Sequence, residues 1–253
     1  KRITPKTKAI MIVHYASYPG DLDEIYQFAK LHNLRVIEDA AHAFGCTYKG
    51  KKIGAIGDVV CFSFDGIKNI TSGEGGAVVS HDTEVISYIQ DARLLGVERD
   101  SEARYKNKRS WNFDVKIQGW RYHMSDIMAA IGRVQLSRFD VEFKLKRLEL
   151  LSYYLTKLVR FKGLEILDTD LTAVVPHIMP VRILCGKRDK VKLHMDEVGI
   201  QTGVHYKPNH LLSKYKSKVA LPVAEQLYTE LLSLPMHVDL KLEEIDAVVS
   251  ALE

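Results

Sequence analysis

Lys8-Ala9-Ile10-Met11-Ile12-Val13-His14, Asp21-Leu22-Asp23-Glu24-Ile25-Tyr26-Gln27-Phe28-Ala29-Lys30-Leu31-His32 and Leu34-Arg35-Val36-Ile37-Glu38 are the three consecutive runs whose reading decides the fold. The first and third are short and apolar, the pattern of strands buried on both faces. The middle run repeats Leu22, Ile25, Tyr26 and Ala29 on one side of a 3.6-residue period, which predicts an amphipathic helix. Strand, helix and strand in that order make a β–α–β unit. Such units build a parallel sheet covered by helices, and ligands gather at the carboxyl ends of its strands. Residues just past a strand end therefore come first in the search for chemistry.

Working outward, Val59 to Phe64 and Gly76 to Ser80 read as two more strands, separated by the polar stretch Lys68-Asn69-Ile70-Thr71-Ser72-Gly73-Glu74-Gly75. Asp82 opens a helical pattern that runs to about Leu95. Between Gly96 and Gly119 the chain turns polar and aromatic without a clear period, and a loop this long inside a compact protein is either functional or disordered. Ser125 can cap a long helix from Asp126, and its Ala129, Ala130, Ile131, Val134 and Leu136 stripe implies close packing. Beyond about residue 150 come shorter elements: strands over Pro176 to Leu184 and Gln201 to Tyr206, and helices over Gly186 to Glu197, Val223 to Leu232 and Leu242 to Leu252. The expected organisation is α/β: a large domain over 1–150 with a mostly parallel sheet, and a smaller α+β domain over 151–253.

Composition agrees with a folded globular chain. Of 253 residues, 46% are hydrophobic, and Lys+Arg 36 against Asp+Glu 32 leaves a formal charge of +4, which excludes disorder. No apolar run is long enough for a membrane helix, and Lys1-Arg2-Ile3-Thr4-Pro5 lacks a signal-peptide pattern. Basic residues are scattered in short runs without a nucleic-acid-binding motif, so neither nucleic acid nor membrane is an expected partner. The cysteines, Cys46, Cys61 and Cys185, are odd in number and widely spaced, which points to a reducing cytoplasm.

Asp39 ends the strand over Leu34 to Glu38 and sits among small apolar residues. A carboxylate there is costly to desolvate unless paired, so Asp39 is either the cap of the following turn or a buried anion for a cofactor. Lys68 follows the Val59 to Phe64 strand. A lone loop lysine is ordinarily solvated surface, but one partly desolvated at a sheet end has a depressed pKa, and its neutral amine can form a Schiff base with an aldehyde. Pyridoxal phosphate chemistry needs that amine, an acid for the pyridine nitrogen and donors for the phosphate. Lys68, Asp39 and the Ser63 hydroxyl would supply all three from adjacent strand ends. The glycines Gly73, Gly75 and Gly76 permit positive φ and close backbone approach whatever the chemistry.

The runs Val36-Ile37-Glu38-Asp39-Ala40-Ala41-His42-Ala43-Phe44-Gly45, Phe62-Ser63-Phe64-Asp65-Gly66-Ile67-Lys68-Asn69 and Gly73-Glu74-Gly75-Gly76-Ala77-Val78 closely resemble the DegT/DnrJ/StrS family of sugar aminotransferases. So do Gly119-Trp120-Arg121-Tyr122-His123-Met124-Ser125-Asp126 and Leu232-Ser233-Leu234-Pro235-Met236-His237, and the matches are collinear along the chain. The resemblance implies the large domain of the type I pyridoxal-phosphate transferase fold. It makes Lys68 the Schiff-base lysine and proton shuttle, Asp39 the partner of the pyridine nitrogen, Ser63 a phosphate ligand, and His42 the residue beside the cofactor's phenolic oxygen. A lone His42 would more often be an ordinary buried or capping histidine. Arg121 and His123 stand where many members have Asn and Arg, in a segment that in the family reaches across a dimer interface toward the phosphate. Either can serve an anion, and the alternative is a solvated basic pair before a helix. His205, Tyr206 and His210 resemble the family's substrate-side segment. No metal is implied.

The chain opens at a point that corresponds to the middle of a family member, and nothing in it matches the Gly-Thr phosphate turn that the family carries earlier. The resemblance therefore implies the C-terminal portion of such an enzyme, and either an N-terminal partner segment or strong oligomerisation, as a homodimer with shared active sites. The leading function is a pyridoxal-phosphate aminotransferase that moves an amino group from an amino acid, glutamate foremost, to a nucleotide-linked keto-sugar. A sugar dehydratase of the same fold is the nearest alternative, but related dehydratases carry histidine where this chain has Lys68. A catalytically silent binding or regulatory protein of the same fold is the third reading.

Overall fold

The computed structural model describes residues 2–97, 113–168 and 170–252. In chain order the elements of the first part are β1 (Ala9–Val13), α1 (Leu22–Leu31), β2 (Arg35–Asp39), the short β3 (Thr47–Tyr48) and β4 (Lys51–Lys52), β5 (Val59–Ser63), β6 (Gly76–Ser80) and α2 (Thr83–Ala92). Next come α3 (Asp126–Arg138) and α4 (Lys144–Leu158), joined by one wide π turn over Phe139–Phe143. The remainder holds β7 (Leu164–Ile166), β8 (Met179–Ile183), α5 (Arg188–Glu197), α6 (Pro222–Glu230), β9 (Leu231–Leu234) and α7 (Leu242–Ser250).

The expected α/β architecture is present. The main sheet has the order β1-β2-β5-β6; the first three strands are parallel and β6 returns antiparallel to β5. A second sheet, β7-β8-β9, is antiparallel throughout. Helix starts follow their capping residues: the side chains of Asp21, Asp82 and Ser125 each accept from backbone N–H groups of the first turn.

Two apolar cores form. Leu22, Ala40, Val60, Ile70, Phe139 and Phe143 meet beneath the main sheet, whereas Leu150, Tyr154, Met195, Leu232 and Ile245 fill the space between the second sheet and its helices. Each Leu, Ile, Val, Phe and Met side chain among them contributes about 1.5–3 kcal/mol by leaving water. Val175 crosses the sequence boundary and packs into the first core. A polar chain runs through the first part as well. Glu38 is buried against His14, whose Nε2 lies 2.9 Å from Oε2, and accepts from the Tyr26 hydroxyl at 2.6 Å. The Tyr26 oxygen accepts from Asp58 N at 2.8 Å, and Arg35 binds Asp58 with two hydrogen bonds and reaches Asp82 at 3.0 Å.

Two expectations are corrected here. The α3 stripe does not pack against the described residues: Ile131, Val134 and Leu136 are 44%, 58% and 56% exposed, and no residue of α3 is buried. Gln201 to Tyr206 is not a strand; it makes a single bridge, in which Gly203 and Ser233 exchange backbone hydrogen bonds, before His205 and Tyr206 turn to side-chain partners. Of the loop expected between Gly96 and Gly119, residues 98–112 lie outside the described residues. Its two ends meet, with Val97 bridged to Val115 and Leu94 to Arg121. Gly96 permits that approach, because a Cβ there would stand 2.1 Å from the Ile117 carbonyl oxygen. No helix among the described residues is long and apolar enough to cross a membrane.

Candidate active site

Parallel strand ends place the chemistry. Asp39 is the last residue of β2, and its Oδ1 accepts from Ala41 N at 3.1 Å, which turns the chain and sends His42 back over the strand end. Ser63 ends β5, and its hydroxyl accepts from Asp65 N at 3.3 Å. Lys68 follows in a turn closed by its own N–H to the Asp65 carbonyl. Gly76 then lets the return strand approach: a Cβ there would lie 2.6 Å from the Phe62 carbonyl oxygen.

The electrostatics follow from burial. Desolvation lowers the Lys68 pKa, opposed by the carboxylates of Asp65 and Asp39, so the amine is easier to hold neutral than an exposed lysine. His42 is 6% exposed and pushed down to about 4 by burial first, then by Lys68 and His205, with Asp39 opposing. His205 moves the same way, through burial and Lys68. His42 Nε2 lies 3.1 Å from the Tyr206 hydroxyl, and His205 Nδ1 2.8 Å from Ser233 Oγ. Neutral imidazoles, one carboxylate and a lysine of reduced basicity thus share one sheet end. Of these residues only Lys68 borders a cavity of 760 Å³, whose other walls include Asn69, Gln135, Arg138, Arg147 and His237; Asp39, His42 and His205 do not line it. No cluster of metal-ligating side chains occurs among the described residues.

The sequence profile of the DegT/DnrJ/EryC1/StrS aminotransferase family matches residues 1–253. This chain belongs to that family. It is 37% identical over 259 residues to GDP-perosamine synthase of Caulobacter vibrioides, covering 99% of this chain and 67% of that protein. The crystal structure of the aminotransferase TlmJ from Streptoalloteichus hindustanus superposes with a TM-score of 0.89 at 30% identity, over 99% of this chain and 66% of that one. The PLP form of Spr1654 from Streptococcus pneumoniae gives a TM-score of 0.86 at 28% identity, over 99% and 68% of the two chains. The chain thus spans about two thirds of the length of these relatives. The family's fold is that of pyridoxal-phosphate-dependent sugar aminotransferases, and its cofactor is pyridoxal phosphate.

The residues fit that cofactor by their chemistry. A lysine of lowered basicity suits an aldehyde, Asp39 supplies a carboxylate, Ser63 a hydroxyl, and the buried Nδ1 of His42 has no partner among the described residues, which leaves a polar atom for a ligand. The structure brings Lys68, Asp39, His42, His205 and Tyr206 into mutual electrostatic reach. It does not bring in every family-matched residue. Arg121 is exposed, and exposed His123 lines a separate cavity of 560 Å³ with Cys61 and Gly76. His210 is held 2.9 Å from Glu225 Oε1, the carboxylate that also accepts from Leu221 N, so within this chain its ring serves the α6 start. Two residues escaped the motif reading. His177, inside an apolar run, packs against His42 with ring centroids 4.3 Å apart, and Ser17 binds the backbones of both. Neither has a local sequence signal, because their partners are far away in the chain.

Proposed function

We propose that this chain forms the lysine-bearing part of a pyridoxal-phosphate aminotransferase that transfers an amino group from an amino acid, glutamate foremost, to a nucleotide-linked keto-sugar. The observation that carries the proposal is Lys68: a lysine of burial-lowered basicity beside Asp39, His42 and His205 at the carboxyl ends of β2 and β5. The similarity to a GDP-perosamine synthase supports a nucleotide-linked sugar as acceptor, and a spore coat polysaccharide biosynthesis protein of Bacillus subtilis, 33% identical, supports a role in polysaccharide or amino-sugar biosynthesis.

The cofactor, when bound, supplies an electron sink for the carbon that loses a proton. Asp39 would hold the pyridine nitrogen, Ser63 would donate to the phosphate, and Lys68 Nζ would hold the cofactor and move the proton. Lys68 can do both because burial favours its neutral form while Asp39 and Asp65 keep protonation within reach. Neutral His42 and His205 add hydrogen-bonding capacity without a second positive charge beside that nitrogen. Arg121 and His123 would serve the phosphate of a partner subunit, a role supported by their exposure next to α3.

The exposed Ile127, Ile131 and Val134 of α3 support a homodimer, which light scattering of the purified protein tests: a monomer at micromolar concentration rejects it. The two apolar cores support a division into a large and a small domain close to the π turn, near the expected residue 150. Three free thiols, with Cys185 exposed, support a cytoplasmic location. The decisive experiment adds pyridoxal phosphate to purified protein: a visible absorbance band is expected, and Lys68→Ala abolishes it. Identical spectra for wild type and variant would reject the proposal, and ammonia release without an amino-sugar would redirect it to dehydration.

A further inference from the structure

Ser17, His42 and His177 come from three distant parts of the chain and meet away from solvent, at 0%, 6% and 4% exposure. The Ser17 hydroxyl donates to the His42 carbonyl at 2.6 Å and accepts from His177 N at 3.0 Å. One side chain therefore uses its proton and a lone pair to tie the turn after β2 to the segment before β8. Arg147, itself 4% exposed, braces the same segment by donating from Nη1 to the Pro176 carbonyl at 2.9 Å. So held, the His177 ring lies against the His42 ring at a centroid distance of 4.3 Å and a tilt of 50°.

We propose that His177, held by Ser17, is a positioning residue for His42: its ring covers His42, fixes that imidazole beside Lys68 and keeps water from it. The consequence for transamination rests on the cofactor reading above, whereas the packing itself does not. The groups facing His42 are Lys68 and His205, which disfavour the imidazolium, Asp39, which favours it, the neutral Tyr206 hydroxyl, and His177, which burial keeps neutral as well. Burial is the largest of these influences, and the His177 ring supplies part of it. Because His177 arrives with the second part of the chain, the seal on His42 exists only while that part is docked on the main sheet.

The test uses the full chain with ¹⁵N-labelled histidine and follows the His42 ring by NMR during a pH titration, with the signal assigned from its loss in His42→Gln. In wild type, His42 titrates well below an ordinary histidine. In His177→Ala, water reaches the ring, and its ionisation constant is expected to shift at least tenfold toward the ordinary value; Ser17→Ala shifts it the same way by less. His177→Phe, which keeps a flat ring and no titratable nitrogen, is expected to leave His42 within twofold of wild type. The dissociation constant for pyridoxal phosphate should rise in the Ala variant and be rescued in the Phe variant. If Ala leaves His42 unchanged, or Phe moves it as far as Ala, the proposal is wrong. Should the Ala variant fail to fold by circular dichroism, His177→Ser, which likewise opens the space to water, takes its place, with the same expected shift. An Ala–Phe contrast in a chain that never gains the Lys68-dependent absorbance would sustain the packing and sink the aminotransferase reading; the reverse pattern sinks the packing alone.

Discussion

Replacing Glu38 by alanine tests the polar chain that aligns β1, α1 and β2. Glu38 is 1% exposed; it lies 2.9 Å from His14 Nε2 and accepts from the Tyr26 hydroxyl at 2.6 Å. His14 is equally buried, and its Nδ1 already lacks a partner among the described residues, so the substitution leaves a sealed imidazole with neither nitrogen bonded. Leaving a buried neutral polar group without its partner costs about 1–3 kcal/mol, and the lost Tyr26 hydrogen bond about 1 kcal/mol more. The expected total of about 2–4 kcal/mol is a substantial part of the ~5–15 kcal/mol that holds an ordinary protein folded. At roughly 2–4 °C per kcal/mol for a chain of this size, the melting temperature should fall by about 4–16 °C. Glu38→Gln keeps the shape and one acceptor for Tyr26, and should cost only about 1–2 kcal/mol. Urea titrations followed by circular dichroism measure both variants. A loss under about 1 kcal/mol for Ala, or a Gln variant as damaged as Ala, would refute the reasoning that this pair is buried and mutually dependent.

Two further outcomes follow from the geometry. Gly45 has φ +85°, and a Cβ there would stand 2.2 Å from Cζ of buried Phe139, so Gly45→Ala combines left-handed strain with overpacking for about 2–5 kcal/mol. Gly50→Ala, at φ +77° with nothing within 4 Å of the added methyl, is the control and should cost about 1–2 kcal/mol in the same urea assay; equal losses would refute the clash. The two Arg35 hydrogen bonds hold the Asp58 carboxyl below its ordinary 3.8, with burial opposing and the Val36 N–H assisting. A depressed acid stabilises the fold above its unfolded pKa, and that contribution disappears as pH falls through the folded value. The stability gap between wild type and Asp58→Asn should therefore be constant from about pH 7 to pH 5 and close below about pH 4; a gap that persists undiminished at about pH 2 would contradict this.

Much of the fold can be read locally. Asp21, Asp82 and Ser125 each announce a helix start, since a cap acts on the first turn of its own helix. The β–α–β opening predicts a parallel sheet, and the sheet then says where to look, which is why Asp39, His42, Ser63 and Lys68 stand out at strand ends. The α3 stripe shows the limit of this reading. Periodicity reports that Ile131 and Val134 share an apolar side, but it carries no information on what covers that side, and among the described residues nothing does.

Sequence alone determined the β–α–β opening, the mostly parallel sheet and which lysine and acid stand at its strand ends, because these depend on periods, caps and motifs set by adjacent residues. Tertiary structure alone decided that Ser17 and His177 close over His42, that His210 turns to Glu225 and that Gln201 to Tyr206 leaves the sheet after one bridge. Those contacts join groups far apart in the chain. Their free energy arises from burial and hydrogen-bond geometry that exist only once the two cores have formed, and no local pattern of residues encodes it.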